Sequence, residues 1–141
     1  MQQFQRSLFI STRGKALYEF TPDVQAFLRQ SGLRTGLLTL FCRHTSASLL
    51  IQENADRSVQ SDLLAYFEQL APETMPFTTH KTEGSDDMPA HIRTALTQTS
   101  LSIPVMAGEA VLGTWQGIYL FEHRAMPHRR EVVAHFLGEA S

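Results

Sequence analysis

A chain of 141 residues, 43% of them hydrophobic, has the size of one domain spanning 1–141 and can build a single core without disulfides or a structural metal. Its 14 acidic and 12 basic side chains nearly balance, and no run of Lys or Arg gives the electrostatic footprint of a nucleic-acid or anionic-membrane binder, so neither partner is expected. No stretch nears the roughly 20 apolar residues of a spanning helix, the N-terminus lacks an apolar signal region, and the single Cys42 reads as a small buried hydrophobe, which together predict a cytoplasmic protein.

Taken in chain order, the alternation of Phe4, Arg6, Leu8 and Ile10 predicts a strand from Phe4 to Ile10. Thr21-Pro22-Asp23 starts a helix, with Thr21 as its cap and Pro22 in its first turn, and Gly32 stops it after Val24, Phe27 and Leu28. The run from Thr35 to Cys42 is too short and too apolar for an amphipathic helix, so it predicts a strand buried on both faces that delivers His44 to its end. A further strand covers Ser48 to Ile51. Asp56 then caps a helix in which Val59, Leu63, Phe67 and Leu70 recur at helical spacing, ended by Pro72.

From Pro76 to Met88 the chain is polar and irregular, a long loop of the kind that carries function, and another helix opens at Pro89. The last third, SLSIPVM, AVLG, WQGIYLFEH and EVVAHFL, reads as short strands in consecutive hairpins with turns at AGE and Met126-Pro127. Strands and helices segregate rather than alternate. That predicts an α+β fold, a single compact domain with a mostly antiparallel sheet packed with helices. Neither GxGxxG nor GxxxxGK[ST] occurs, so dinucleotide and P-loop readings have no support.

Four stretches concentrate reactive side chains: His44-Thr45-Ser46, Glu53-Asn54, His80 with Asp86 to His91, and Gly113 to Gly117. Neutral imidazoles are common zinc ligands, and a site of three leaves a fourth position for water or substrate. His44, His80 and His91 do not form a local metal motif, so only folding can bring them together. The plainer readings are a backbone-bonded strand-end ring for His44 and solvent exposure for His80. His91 falls in the first turn of the Pro89 helix, where the dipole disfavours imidazolium and leaves a neutral ring able to bind metal.

Asp86 or Asp87 can cap that helix, which leaves the other acid for a metal, a metal-bound water or proton transfer. Glu53 and Asn54 equally suit the entry to the Asp56 helix. Trp115 is expected to fill the core between glycines that permit a bulge or close approach, while Gln116, with donors and an acceptor, can read a ligand edge. Arg124, Arg129 and Arg130 can bind phosphate or remain solvated.

Together, HTSASL, the EN of QENAD, DDMPAHI, GTWQGIYLFEHR and the late Arg129-Arg130 pair resemble the YjbQ-like family in order and spacing over almost the whole chain, HTSA and GTWQG being the specific motifs. The resemblance implies the YjbQ-like α+β fold, a homotrimer, grouped histidines able to hold a metal, and a secondary thiamine-phosphate synthase activity. That activity joins hydroxymethylpyrimidine diphosphate to thiazole phosphate and releases pyrophosphate.

Carried over residue by residue, it implies catalytic roles for His44, Glu53, Asp87 and His91. It implies substrate contacts from Thr45, Ser46, Asn54, Trp115, Gln116, Glu122 and Arg130, and a divalent metal, zinc or magnesium, on His44, His80 and His91. Lys81 departs from the pattern, since relatives often place an acid directly after the loop histidine. Two other readings stand beside this one: a metal-dependent hydrolase or lyase of a small phosphorylated metabolite, with Glu53 or Asp87 as base, and a non-catalytic trimer that binds a metabolite or metal.

Overall fold

Alternating side chains carry the first strand further than its apolar residues mark. In the computed structural model, which describes residues 1–141, β1 runs Gln2–Thr12 and turns Leu8, Ile10 and Thr12 inward. The order continues β2 (Ala16–Glu19), α1 (Thr21–Ser31), β3 (Thr35–Cys42), β4 (Ala47–Glu53), α2 (Arg57–Leu70), α3 (Asp87–Leu96), β5 (Ser100–Met106), β6 (Glu109–Ala110), β7 (Gln116–Glu122) and β8 (His128–Glu139).

The helix signals are read differently by the structure at two of three starts. Phe20, not Thr21, is the N-cap of α1; the Thr21 hydroxyl donates to Glu19 and accepts the Ile118 amide, which ties the helix start to β7. Gly32 closes α1 in the left-handed conformation that a Cβ would strain. Asp56 caps α2 as expected, accepting from the Ser58 amide. Helix α3 begins at Asp87, two residues before Pro89, so Asp87 and His91 both fall inside it.

Two antiparallel sheets result, ordered β1-β8-β3-β5-β6 and β2-β7-β4. The expected run of consecutive hairpins is realised only for β5 and β6. Instead β7 inserts between β2 and β4, and β8 between β1 and β3. These insertions join the chain's distant parts and produce the closed α+β core.

The inner face of the larger sheet, with Leu38, Leu40, Ala134 and Phe136, packs against Leu49, Ile118 and Leu120 of the smaller sheet and Phe20, Val24 and Phe27 around α1. The other face of the smaller sheet, with Leu17, Tyr119 and Phe121, is covered by Leu63, Leu64 and Phe67 of α2. Covered on both sides, β7 is buried from Gly117 to Glu122.

Strand β3 is not. Leu38, Leu40 and Cys42 face the core, but Leu37 and Phe41 stand 45% and 48% exposed because no layer lies over the outer face of the larger sheet. No helix is long and apolar enough to cross a membrane.

Candidate metal centre

Helix geometry assembles the first two members of the site. Asp87 and His91 are four residues apart and therefore share one face of α3, with His91 Nε2 3.1 Å from Asp87 Oδ2. The loop before α3 returns His80 to the same oxygen, at 2.7 Å from its Nε2. One ligand-capable atom from each residue lies within 4.8 Å of the other two. The imidazoles stand edge to face and are open to solvent on one side, whereas the Asp87 side chain is 6% exposed.

The partners of His91 fix one of its protons. Its Nδ1 lies 2.9 Å from the Thr45 carbonyl oxygen, which can only accept, so Nδ1 carries a proton. Its Nε2 faces the Asp87 carboxylate. A ring nitrogen and a carboxylate at this distance require a cation between them, either a second proton on the ring or a metal ion.

Asp87 is held from its other side. Arg124 Nη1 donates to Oδ1 at 2.7 Å, Nε donates to Asp86 Oδ2 at 3.1 Å, and Nη2 donates to the Glu83 carbonyl at 2.8 Å. Burial raises the Asp87 pKa, but the His80 hydrogen bond and the charges of His91 and Arg124 outweigh it, so the carboxyl lies below its ordinary value. Neither Asp86 nor Asp87 caps α3 through its side chain. The physical reason is Arg124, together with the Ala125 amide that also donates to Asp86.

The other expected site residues fall into two places. His44 sits outside the group: its Nε2 accepts the Glu131 amide at 2.8 Å, and burial and the Arg130 charge lower its pKa. The expected three-histidine grouping is thus replaced, within one chain, by two histidines and Asp87, with Thr45 supporting His91 through its carbonyl. Ser46, Glu122 and Arg130, expected at a ligand, are buried together. Arg130 donates to both Glu122 oxygens, to Ser46 Oγ and to the Ser46 carbonyl, and Thr12 donates to Glu122 at 2.6 Å.

Glu53, Asn54, Trp115 and Gln116 gather at the opposite end of the β4–β7 ladder. Ala47 pairs with Glu122 at one end and Glu53 with Gln116 at the other, six residues or about 20 Å away. Glu53 accepts the Ala55 and Asp56 amides, Asn54 donates to the Gln116 carbonyl, and Gln116 Oε1 accepts the Gly113 amide. Trp115 does not fill the core but is 61% exposed. A Cβ on Gly117 would stand 2.6 Å from Glu19 Oε2, so the Glu19 side chain would have to shift to admit one. The largest cavity, about 470 Å³ and lined by Glu19, Asn54, Arg57 and Tyr119, belongs to this end and not to the histidines.

The family profile described as UPF0047 protein YjbQ-like matches residues 6–139. The chain belongs to this family. It is 56% identical over 138 residues to UPF0047 protein sll1880 of Synechocystis sp., covering 98% of this chain and 94% of that protein, and 40% identical over 139 residues to UPF0047 protein YjbQ of Salmonella typhimurium, covering 96% and 99%. Among solved structures, a conserved hypothetical protein from Thermus thermophilus superposes with a TM-score of 0.84 at 35% identity, covering 94% of this chain and 99% of that one. A YbjQ-like protein from Sulfolobus solfataricus shares the fold with a TM-score of 0.89 at 23% identity over 98% and 99% of the two chains.

Two side chains that the structure of this YjbQ-like protein singles out are not marked by the sequence. Arg124 reads there only as a phosphate ligand or a solvated side chain, and His123 does not stand out. His123 is 1% exposed, with Nε2 2.8 Å from Ser48 Oγ, while Thr97 Oγ1 lies 2.6 Å from Ser48 Oγ and 2.8 Å from the Arg93 carbonyl. One proton order satisfies this chain: His123 donates to Ser48, Ser48 to Thr97, and Thr97 to the carbonyl. That order puts a proton on Nε2; burial with the charges of Arg93 and Arg130 pulls the ring's pKa down to about 3, so Nδ1 stays bare, buried and without a partner. The available signal is its register at the end of an apolar strand, which places such a ring inside.

Proposed function

We propose that this YjbQ-like protein is a metal-dependent enzyme acting on a small phosphorylated metabolite, with the ion held by His80, Asp87 and His91. The observation that carries the reading is His91, whose Nδ1 is committed to a carbonyl and whose Nε2 faces a carboxylate. Metal-binding histidines commonly donate their second nitrogen to a backbone carbonyl in this way. Two imidazoles and one carboxylate suit zinc or ferrous iron better than magnesium, which prefers oxygen donors.

When bound, such an ion supplies Lewis acidity and a water of lowered pKa. The protein's own contribution is to fix the donors and to place an anionic group nearby. Lys81, Thr78 and Ser85 border a cavity of about 160 Å³ beside His80, and Lys81 Nζ donates to Thr78 there. An ammonium at that position complements a phosphate. Lys81 thereby gives a use to the position where relatives often carry an acid.

The reaction implied by the family resemblance is thiamine-phosphate synthesis: the thiazole nitrogen bonds to the pyrimidine methylene as its bond to the diphosphate oxygen breaks, and pyrophosphate leaves. One observation favours hydrolysis or lysis as a second reading. Arg124, which contacts the site, and Arg130, which is buried behind it, are tied to carboxylates and cannot receive a departing pyrophosphate without giving those up.

Incubating zinc-loaded and chelator-treated protein with both synthase substrates separates the readings. Metal-dependent formation of thiamine phosphate supports the synthase; metal-dependent cleavage of the diphosphate without coupling supports the hydrolase. Metal binding with no turnover of any phosphorylated substrate would overturn the enzyme reading in favour of a binding protein. We also propose the homotrimer, supported by the uncovered apolar side chains Phe9, Leu37, Phe41 and Leu137 on the outer face of the larger sheet. Light scattering that returns a monomer at working concentration would remove it.

A further inference from the structure

We propose that Arg124 is the positioning residue of the His80–Asp87–His91 centre, dividing the Asp87 carboxylate so that Oδ1 is fixed and Oδ2 is left for the ion. The inference rests on the metal-centre reading above. Its geometry is independent of any activity.

A carboxylate on a helix end can rotate, and a rotated Asp87 would offer its oxygens to the wrong partners. Arg124 removes that freedom. Its guanidinium is planar with donors in a rigid fork, and here the fork is used at three points: Oδ1 of Asp87, Oδ2 of Asp86 and the carbonyl of Glu83. Two of those points lie in the loop that carries His80, so the same side chain fixes the loop and the carboxylate together. Only Oδ2 of Asp87 remains, and both histidines reach it.

The fork is anchored from the core. The Arg124 amide donates to Glu122 Oε2 at 3.1 Å, and Glu122 is held by Arg130 and Thr12. A continuous set of hydrogen bonds thus runs from the buried ion pair through Arg124 to Asp87. This assigns Glu122 and Arg130 a role in the site without contact to a ligand.

A lysine cannot reproduce the fork, because a single ammonium reaches one carboxylate as a point charge. Glutamine keeps a donor but loses the charge. The test uses the full chain loaded with Co²⁺, comparing wild type, Arg124→Lys, Arg124→Gln and Asp86→Asn by visible absorption, competitive metal affinity and thermal unfolding.

The expected result is a tenfold to hundredfold loss of Co²⁺ affinity in both Arg124 variants, with an altered ligand-field spectrum at saturation. Asp86→Asn, which strips the charge from one arm of the fork and leaves Asp87 intact, should move the same readouts by less. Should an Arg124 variant fail to fold, Asp86→Asn carries the test alone. Wild-type affinity and spectrum in folded variants, even with a lower unfolding temperature, would reduce Arg124 to a structural clamp and overturn the proposal. Failure of the wild type to bind Co²⁺ would instead sink the metal centre itself, and the positioning role with it.

Discussion

The His80–Asp87–His91 group and the cluster around Glu122, Arg130 and His123 draw on the same residue types, histidine, carboxylate and arginine, but differ in what their polar atoms face. In the buried cluster the charges match. Arg130 donates to both oxygens of Glu122, and the His123 chain ends on a backbone carbonyl through an unbroken order of donors. At the open cluster, His91 Nε2 and the Asp87 carboxylate face each other across 3.1 Å on the solvent side. The buried cluster leaves His123 Nδ1 without a partner but matches its charges internally, whereas the open cluster offers its carboxylate to a cation, imidazolium or metal.

The largest effect is expected at the buried pair. Replacing Arg130 with Ala leaves Glu122 as an uncompensated charge at zero exposure, which should cost about 3–5 kcal/mol in urea unfolding. A loss under about 1 kcal/mol would mean that Glu122 is far better solvated than its burial indicates. Metal affinity, by contrast, should fall only through the Arg124 amide.

A pH series sharpens the distinction. Because His123 titrates near 3 when folded and near 6.5 when unfolded, its contribution to stability is complete above about pH 6.5 and is lost as pH falls toward 3. Between pH 6.5 and 5 the loss should be on the order of 2 kcal/mol. His44, also lowered by burial, adds in the same direction. Comparing wild type with His123→Gln over this window isolates the buried ring, and identical slopes would show that it is not held neutral.

The smallest effect is expected at the far end of the β4–β7 ladder. Trp115→Ala, at an exposed position, should change stability by less than about 0.5 kcal/mol and leave metal affinity unchanged. If the trimer forms and brings that end to a neighbouring copy's histidines, the same substitution should alter turnover instead. A change in metal affinity in the monomeric protein would contradict the separation of about 20 Å drawn from the ladder.

What was legible in the sequence followed local physics. Helical spacing marks α2, the Gly32 stop marks the end of α1, and the strand of Thr35 to Cys42 is present at the expected bounds. The four-residue step from Asp87 to His91 is missed, because the helix is read from Pro89 and Asp87 stands before it, whereas α3 begins at Asp87. What else was not legible depended on pairings between distant segments. Nothing local could show that β7 and β8 insert between earlier strands, and the burial of Glu122 and Arg130 follows from those insertions. His44 illustrates the same limit: its ring is claimed by the Glu131 amide, 87 residues away.

Titration of metal-stripped protein with Zn²⁺ in wild type, Asp87→Asn and His44→Asn decides whether His80, Asp87 and His91 hold an ion. The expected result is one ion per chain in the wild type, at least a roughly tenfold weaker affinity in Asp87→Asn, and near wild-type affinity in His44→Asn, whose ring lies outside the group. No zinc uptake by the wild type, or a loss in His44→Asn with Asp87→Asn unaffected, would contradict it.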